Sequence, residues 1–274
     1  MTKHAAPPPS APPGTVWLVG AGPGADDLIT VRGRELLGRA GAILYAGSLV
    51  SPAHLRHAPS ACVIADSSGM TLEEMIDWLL DQASRTAVVV RLQTGDPALY
   101  GALAELAHPL WQAGVPVQVV PGVPSYAAAA ATAMLPLTLP EVTQTVILTR
   151  VAGRTPVPDR EQLRHLARHG ATLCLHLSIT LWPTIRAELA EAGWAEDTPV
   201  LVVHKATWPG EERVLRGTLA DMARQCEAAG IRTHSLILLG PTLNATDQAP
   251  IARSRLYHPA FGHGCRTASL PGDP

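Results

Sequence analysis

Apolar residues along this chain come in short continuous runs, separated by segments with helical spacing. Residues 15–20 form an apolar run ending at Gly20, which predicts a buried strand, and 31–39 reads as a helix with Thr30 as its N-cap. The runs 42–46 and 61–65 predict a second and a third strand. Over 71–83, Thr71 and Glu74 have the spacing of a capping box, and Met75, Leu79 and Leu80 fall on one helical face. A nearly continuous β-branched strand at 87–92 follows, then a helix over 99–112, a strand at 115–120 and a helix over 125–134. Short apolar strands alternating with helices describe a parallel sheet covered on both faces.

Residues 135–141, with Pro136 and Pro140, read as a linker to a second β/α series. Its predicted strands are 146–151, 172–177, 200–204, 214–217 and 235–239, and its helices 159–168, 181–192 and 219–229. Trp208-Pro209-Gly210 joins two of these strands and suggests an antiparallel hairpin. The Pro- and Ala-rich residues 1–14 read as a disordered tail, and regular signals fade after 241. The plan is thus a tail (1–14), an N-terminal α/β domain (15–138), a C-terminal α/β domain (139–241) and a second tail (242–274). No internal repeat accompanies the two halves.

A chain of 274 residues, 47% hydrophobic and 16% charged, has the balance of a globular protein with one large domain or two smaller ones. The formal net charge of -2 argues against a general nucleic-acid binder. Lys3 and Lys205 are the only lysines, so the cations are nearly all arginine. That bias either serves bidentate binding of carboxylates or reflects a GC-rich genome. Cys62, Cys174, Cys226 and Cys265 form no CxxC pair, so neither a zinc site nor a redox dithiol is signalled. Cys62 and Cys174 are expected as buried strand residues. The chain reads as reduced and cytoplasmic, with no signal-peptide core at its start and no apolar stretch long enough for a membrane. His54 and His57 (i, i+3) and His165 and His169 (i, i+4) have metal-compatible spacing, but nothing completes either set, and solvated helix faces are the expected setting.

Three glycine-containing loops carry the candidate chemistry. The first, Val19-Gly20-Ala21-Gly22-Pro23-Gly24, follows the first strand and lets a ligand approach the backbone. A Rossmann dinucleotide loop fits poorly. Pro23 removes an amide, and no acid lies between Glu35 and Asp66 to take a ribose at the end of the second strand. The second, Gln93-Thr94-Gly95-Asp96-Pro97-Ala98-Leu99-Tyr100-Gly101, sits at the carboxyl edge of the sheet, where ligands of open α/β sheets bind. Asp96 is either a ligand contact or a helix N-cap. The third, Val120-Pro121-Gly122-Val123-Pro124-Ser125, also joins a strand to a helix, and Ser125 either caps that helix or meets a ligand.

In that order and spacing, the three loops resemble those of the tetrapyrrole (class III) S-adenosyl-L-methionine methyltransferases, over about residues 15–266. Within that family, the segments Leu44–Val50 and Thr149–Pro156, with Ala206–Pro209 and Ser254–Tyr257, are similar to the branch that methylates C-11 of precorrin-4. Ala25 stands where the family often has an acid, and Pro124 where a small residue is common. The resemblance implies two α/β domains with mixed sheets, a SAM cleft between them, a homodimer, and S-adenosyl-L-homocysteine as the spent product. It implies Pro23 beside the cofactor, and Thr94, Gly95, Asp96 and Leu99 on its methionine portion and ribose. Pro124 and Ser125 would lie near its methionine end, with Leu177 and Ala206 at the adenine. The substrate would be a tetrapyrrole with many carboxylate arms, for which Arg150, Arg154 and Arg32 are the expected cations and Tyr100 a further contact. Arg255 and Arg266 lie in the tail, which would fold over the cleft or join a dimer contact. No residue is singled out as a general base and no metal is expected.

Overall fold

The computed structural model describes residues 14–244 and 254–269. Most of the predicted N-terminal tail therefore lies outside the described residues. Within them the chain forms two compact units that divide at Ala128 and Ala129, with Thr207–Gly210 grouped with the first unit.

The first unit contains β1 (Thr15–Gly20), α1 (Val31–Leu37), β2 (Ala42–Tyr45), β3 (Val63–Asp66), α2 (Leu72–Ala83), β4 (Val88–Gln93), α3 (Leu103–Gln112) and β5 (Val117–Val120). It ends in α4 (Ser125–Thr132), within which the division falls. The strand order is β3-β2-β4-β1-β5 and every pairing is parallel, so all five strands deliver their loops to one edge. Continuous apolar runs are needed because both faces are covered. Val19, Ile43, Val90 and Leu92 pack with Leu36 and Leu37 of α1. Leu18, Leu44 and Val89 pack on the opposite face with Leu79 of α2 and Leu106 and Leu110 of α3. The capping box forms as read: the Glu74 amide donates to the Thr71 hydroxyl and the Thr71 amide to the Glu74 carboxylate.

Three local expectations change. The helix expected from residue 99 begins only at Leu103, because 97–101 closes as a turn. Gly101 is so tightly held there that a Cβ would lie 2.3 Å from the Pro97 carbonyl oxygen. Gln93 also donates to the Gly101 carbonyl, and Tyr100 and Ala102 take left-handed conformations (φ 56° and 51°) that no helix accommodates. An unforeseen 3-10 helix spans Pro52–His57, with the Ser51 hydroxyl accepting from the Ala53 amide. Cys62 is half-buried and precedes β3 instead of lying inside it. β3 is an edge strand with a neighbour on one side only, and Val63 and Ile64 stay exposed.

The second unit contains β6 (Val146–Arg150), α5 (Leu163–Leu166), β7 (Thr172–His176), α6 (Trp182–Glu191), β8 (Pro199–His204), β9 (Arg213–Thr218), α7 (Met222–Ala228) and β10 (Ser235–Leu239). The order is β6-β7-β10-β8-β9. β6 and β7 are parallel, β10 runs antiparallel to both β7 and β8, and β8–β9 is the expected antiparallel hairpin. Strand mixing is thus confined to this sheet. Leu173, Leu175, Val202, Ile237 and Leu239 pack with Leu163, Trp182, Ile185, Leu189 and Met222 from the helices. The helix expected over 159–168 is a single α turn, α5, between two 3-10 turns, because Gln162 is extended (φ -61°, ψ 142°) and interrupts it. Among the described residues no helix is long and apolar enough to cross a membrane.

His176, buried at the end of β7, has its pKa pushed down to about 4 by burial. The folded chain therefore holds this ring neutral, whereas the unfolded chain protonates it below its ordinary value. Stability is fully present above about pH 6.5 and is lost as pH falls towards 4, by on the order of 3 kcal/mol from this residue. Denaturant unfolding at pH 7 and pH 4 measures the loss, and His176→Leu should shrink the difference between the two.

Candidate functional site

Because β4, β1 and β5 are neighbours, the loops that follow them emerge side by side. They approach so closely that side chains are excluded at two positions. A Cβ on Gly20 would lie 2.6 Å from both Gly122 Cα and the Gly95 carbonyl oxygen, and one on Gly122 would lie 2.0 Å from that oxygen. The first two loops also pair as backbone: the Gly95 amide donates to the Gly22 carbonyl (2.8 Å) and the Gly22 amide to the Gly95 carbonyl (3.2 Å). Gly22 and Gly95 both have positive φ (83° and 61°), the conformation that glycine adopts without steric cost. Gly95 differs from the other two in one respect. A Cβ there would sit 3.8 Å from Pro124 Cα and from the Ser125 amide nitrogen, so the missing side chain leaves room beside the third loop.

Asp96 ties the second loop to the third. One carboxylate oxygen accepts from the Ala98 amide (2.8 Å), and the other accepts from the Gly122 amide (2.9 Å). It is therefore neither a helix cap nor an unengaged carboxylate, and α3 begins seven residues later at Leu103. The Pro124 carbonyl accepts the first amides of α4, from Ala127 and Ala128, so Ser125 is the first helical residue and not the cap. Thr94 is exposed, while Pro97 and Gly95 are buried at the base of the loop. Tyr100 projects with about half its surface exposed.

The first loop is gripped by side chains from distant sequence. His54 Nε2 contacts the Ala21 carbonyl (2.9 Å) and its Nδ1 contacts the Ser51 carbonyl (2.9 Å). The ring is 1% exposed, which corrects the expectation of a solvated helix face: the 3-10 helix turns it into the sheet instead of outwards. Trp208 Nε1 donates to the Pro23 carbonyl (3.1 Å), and the Ala25 amide donates to the Thr207 hydroxyl (3.1 Å). Asp26 pairs with Arg56, and His57 lies 3.8 Å from the same carboxylate. Burial, and then the neighbouring Arg56, holds the His57 ring below its ordinary pKa. Asp66, paired with Tyr45 at the end of β2, accepts from the Ser68 and Gly47 amides, which lower its pKa.

In the second unit, Leu177 follows β7 in a left-handed conformation (φ 53°) with its side chain 69% exposed. Holding an apolar residue this way costs energy, and such residues concentrate at functional sites. Ala206 is buried after β8, beside Lys205, whose ammonium pairs with Glu211. Arg150 is turned onto its own loop, where it donates to the Thr155 carbonyl (3.1 Å) and to that of Pro156. Arg154 is exposed within that loop. Arg32 lies on the flank of α1, lining a shallow hollow with Trp17, Glu35, Leu36, Arg39 and Val88. In the tail, one Arg266 nitrogen donates to the carbonyls of Leu256, His258 and Phe261, which folds 254–269 around it. Among the described residues no three His, Cys, Asp or Glu side chains stand together as metal ligands.

The family model of the Tetrapyrrole (Corrin/Porphyrin) Methylases matches residues 15–223, most of the chain. The chain belongs to the tetrapyrrole methylases. A solved structure of a cobalamin biosynthetic enzyme, cobalt precorrin-4 methyltransferase, is 47% identical with a TM-score of 0.81, covering 84% of this chain and 96% of that one. A precorrin-4 C(11)-methyltransferase of Mycobacterium tuberculosis is 47% identical over 232 residues, 84% of this chain and 92% of its own. The uroporphyrin-III C-methyl transferase of Thermus thermophilus, solved with S-adenosyl homocysteine, is 32% identical with a TM-score of 0.68, covering 84% of this chain and 99% of that one.

Within this methylase, sequence spacing located the three loops but not the residues that hold the first one. His54, Thr207 and Trp208 are far from it in sequence, and only the quoted Ala206–Pro209 segment pointed towards two of them. Gly122→Ala should force the second and third loops apart. We expect loss of S-adenosylhomocysteine binding in titration calorimetry together with a lower melting temperature. Asp96→Ala leaves two backbone amides without their acceptor, at a cost of about 1–3 kcal/mol in stability. Its thermal unfolding should fall accordingly, and cofactor affinity should weaken with it.

Proposed function

We propose that this methylase transfers the methyl group of S-adenosyl-L-methionine to C-11 of precorrin-4, giving precorrin-5, in cobalamin biosynthesis. The reading is carried by the convergence of Gly20, Gly95 and Gly122 at the carboxyl edge of a parallel sheet, in a chain whose relatives at 47% identity are named for this step. The cofactor fits the loops. The space left by Gly95 lies against Pro124 and the Ser125 amide, at the start of α4, where a carboxylate is favoured. We assign the methionine end to Pro124 and Ser125, the adjoining contacts to Pro23, Thr94, Gly95, Asp96 and Leu99, and the adenine to Leu177 and Ala206. Asp96 serves by holding the loops in place, since both its oxygens are already engaged by amides.

When bound, the cofactor supplies a methyl group already activated on a positively charged sulfur. The protein's task is alignment and exclusion of water, and such positioning is worth up to roughly 7–11 kcal/mol in ideal intramolecular cases. Backbone groups dominate these loops, which suits a cofactor that loses its positive charge as the ring carbon takes the methyl. Of the arginines, Arg154 is the first choice for a substrate carboxylate, because Arg150 holds the loop that carries it. Arg32 and Tyr100 are further candidates. A homodimer and a cytoplasmic location belong to the same reading, and sedimentation tests the first. A ring that carries cobalt is the second reading, favoured by the name of the solved relative.

The test supplies the chain with carbon-13 methyl-labelled cofactor and either precorrin-4 or its cobalt complex, and locates the label by NMR. Label at C-11 is expected, and the faster substrate identifies the route. Label at another ring carbon moves the chain to another branch of the family. Failure of S-adenosylhomocysteine to bind the wild-type chain would overturn the reading.

A further inference from the structure

The first glycine loop is clamped at both ends by the 3-10 helix Pro52–His57. At one end His54 Nε2 meets the Ala21 carbonyl at 2.9 Å, and at the other Arg56 pairs with Asp26, so Gly22–Ala25 is bracketed. The imidazole is also fixed from behind, because its Nδ1 meets the Ser51 carbonyl at 2.9 Å. It has almost no exposed surface, so no solvent competes for either contact. Both partners are carbonyl oxygens, which only accept. With the ring proton on Nε2, the side chain donates to the Ala21 carbonyl, the contact that reaches the loop.

The Ala21 carbonyl is the hinge of this loop. The Ala21 amide continues the strand pairing by donating to the Gln93 carbonyl (2.7 Å), while the next residue already has positive φ and pairs with Gly95. The orientation of the peptide after Ala21 thus decides where the Gly22 amide points, and so how it meets the Gly95 carbonyl of the second loop. We propose that His54 is a positioning residue that presets this peptide, and with it the cofactor loop, before ligand binds. This inference rests on the proposed role of the loop in holding S-adenosylmethionine. A preset loop spends none of the binding energy on ordering itself.

Three variants separate positioning from mere core filling. His54→Leu removes both polar contacts, His54→Asn keeps a donor within reach of Ser51 only, and His54→Gln places a donor where Nε2 stands. Titration calorimetry with S-adenosylhomocysteine, melting temperatures, and kcat and KM for the cofactor are measured on each. The expected result is an affinity loss of about tenfold for Leu and Asn, with Gln within about threefold of wild type. KM for the cofactor should rise while kcat at saturation changes less. Equal losses in Asn and Gln, or affinities that follow melting temperature regardless of the donor, would overturn the proposal. So would a wild-type affinity in Leu. Where Leu fails to fold, the contrast between Asn and Gln decides. Failure of the wild-type chain to bind S-adenosylhomocysteine counts against the cofactor reading itself, not against the role of His54.

Discussion

Everything at the candidate site depends on three backbone segments lying closer together than side chains allow. Gly20 and Gly122 cannot carry even a methyl group, since each would drive a carbon into the neighbouring loop. This contact is possible because β4, β1 and β5 are adjacent and parallel, so their carboxyl ends meet at one edge. The order of strands fixes which loops are neighbours, and the glycines fix how near they come. Asp96 then locks the distance between the second and third loops by accepting an amide from each. A carboxylate that the sequence left as either a ligand contact or a helix cap is, in the fold, a fastener between two of the loops.

Local rules were legible in the residues. The Thr71–Glu74 box, the β1 run ending in Gly20 and the hairpin through Trp208-Pro209-Gly210 each depend on neighbours within a few positions, and each forms. The delayed start of α3 was not legible, because helical spacing from Leu99 onwards looks continuous. It takes the tight packing of Gly101 against Pro97, and the hydrogen bond from Gln93, to hold 97–101 as a turn. His54 was misjudged for a related reason. An i, i+3 histidine pair suggests an exposed helix, but His54 is buried against the Ala21 carbonyl, a partner 33 residues away that no local pattern reveals. The grip of Thr207 and Trp208 on the first loop has no local pattern in spacing, and only the family-like segment Ala206–Pro209 marked those two residues.

Several residues other than glycine adopt left-handed backbone in the segments that flank strands. Tyr100 and Ala102 follow β4, Leu177 follows β7, Lys205 and Thr207 follow β8, and His234 precedes β10. Each costs of order 1–3 kcal/mol and persists only where its surroundings overdetermine it. At Lys205 they do so visibly, since its amide donates to the His234 carbonyl (2.8 Å) and its ammonium pairs with Glu211. The cations Lys205 and Arg213 gather with His204 at the same end of the second sheet. Burial, the largest cause, keeps His204 below its ordinary pKa, with its neighbours Arg213 and Lys205 acting in the same direction.

The grip on the first loop also has a place in time. Ala25 and Thr207 are 182 residues apart, and Pro23 and Trp208 are 185 apart. A chain growing from its N-terminus completes the parallel sheet and all three glycine loops long before Thr207 leaves the ribosome. From Ser125 to Thr207 is 82 residues, an interval of roughly four to sixteen seconds at ordinary synthesis rates. Throughout it, the first loop has its strand and its histidine but not its tryptophan. Among the described side-chain contacts of the first loop, those from Thr207 and Trp208 are therefore the last that synthesis makes available.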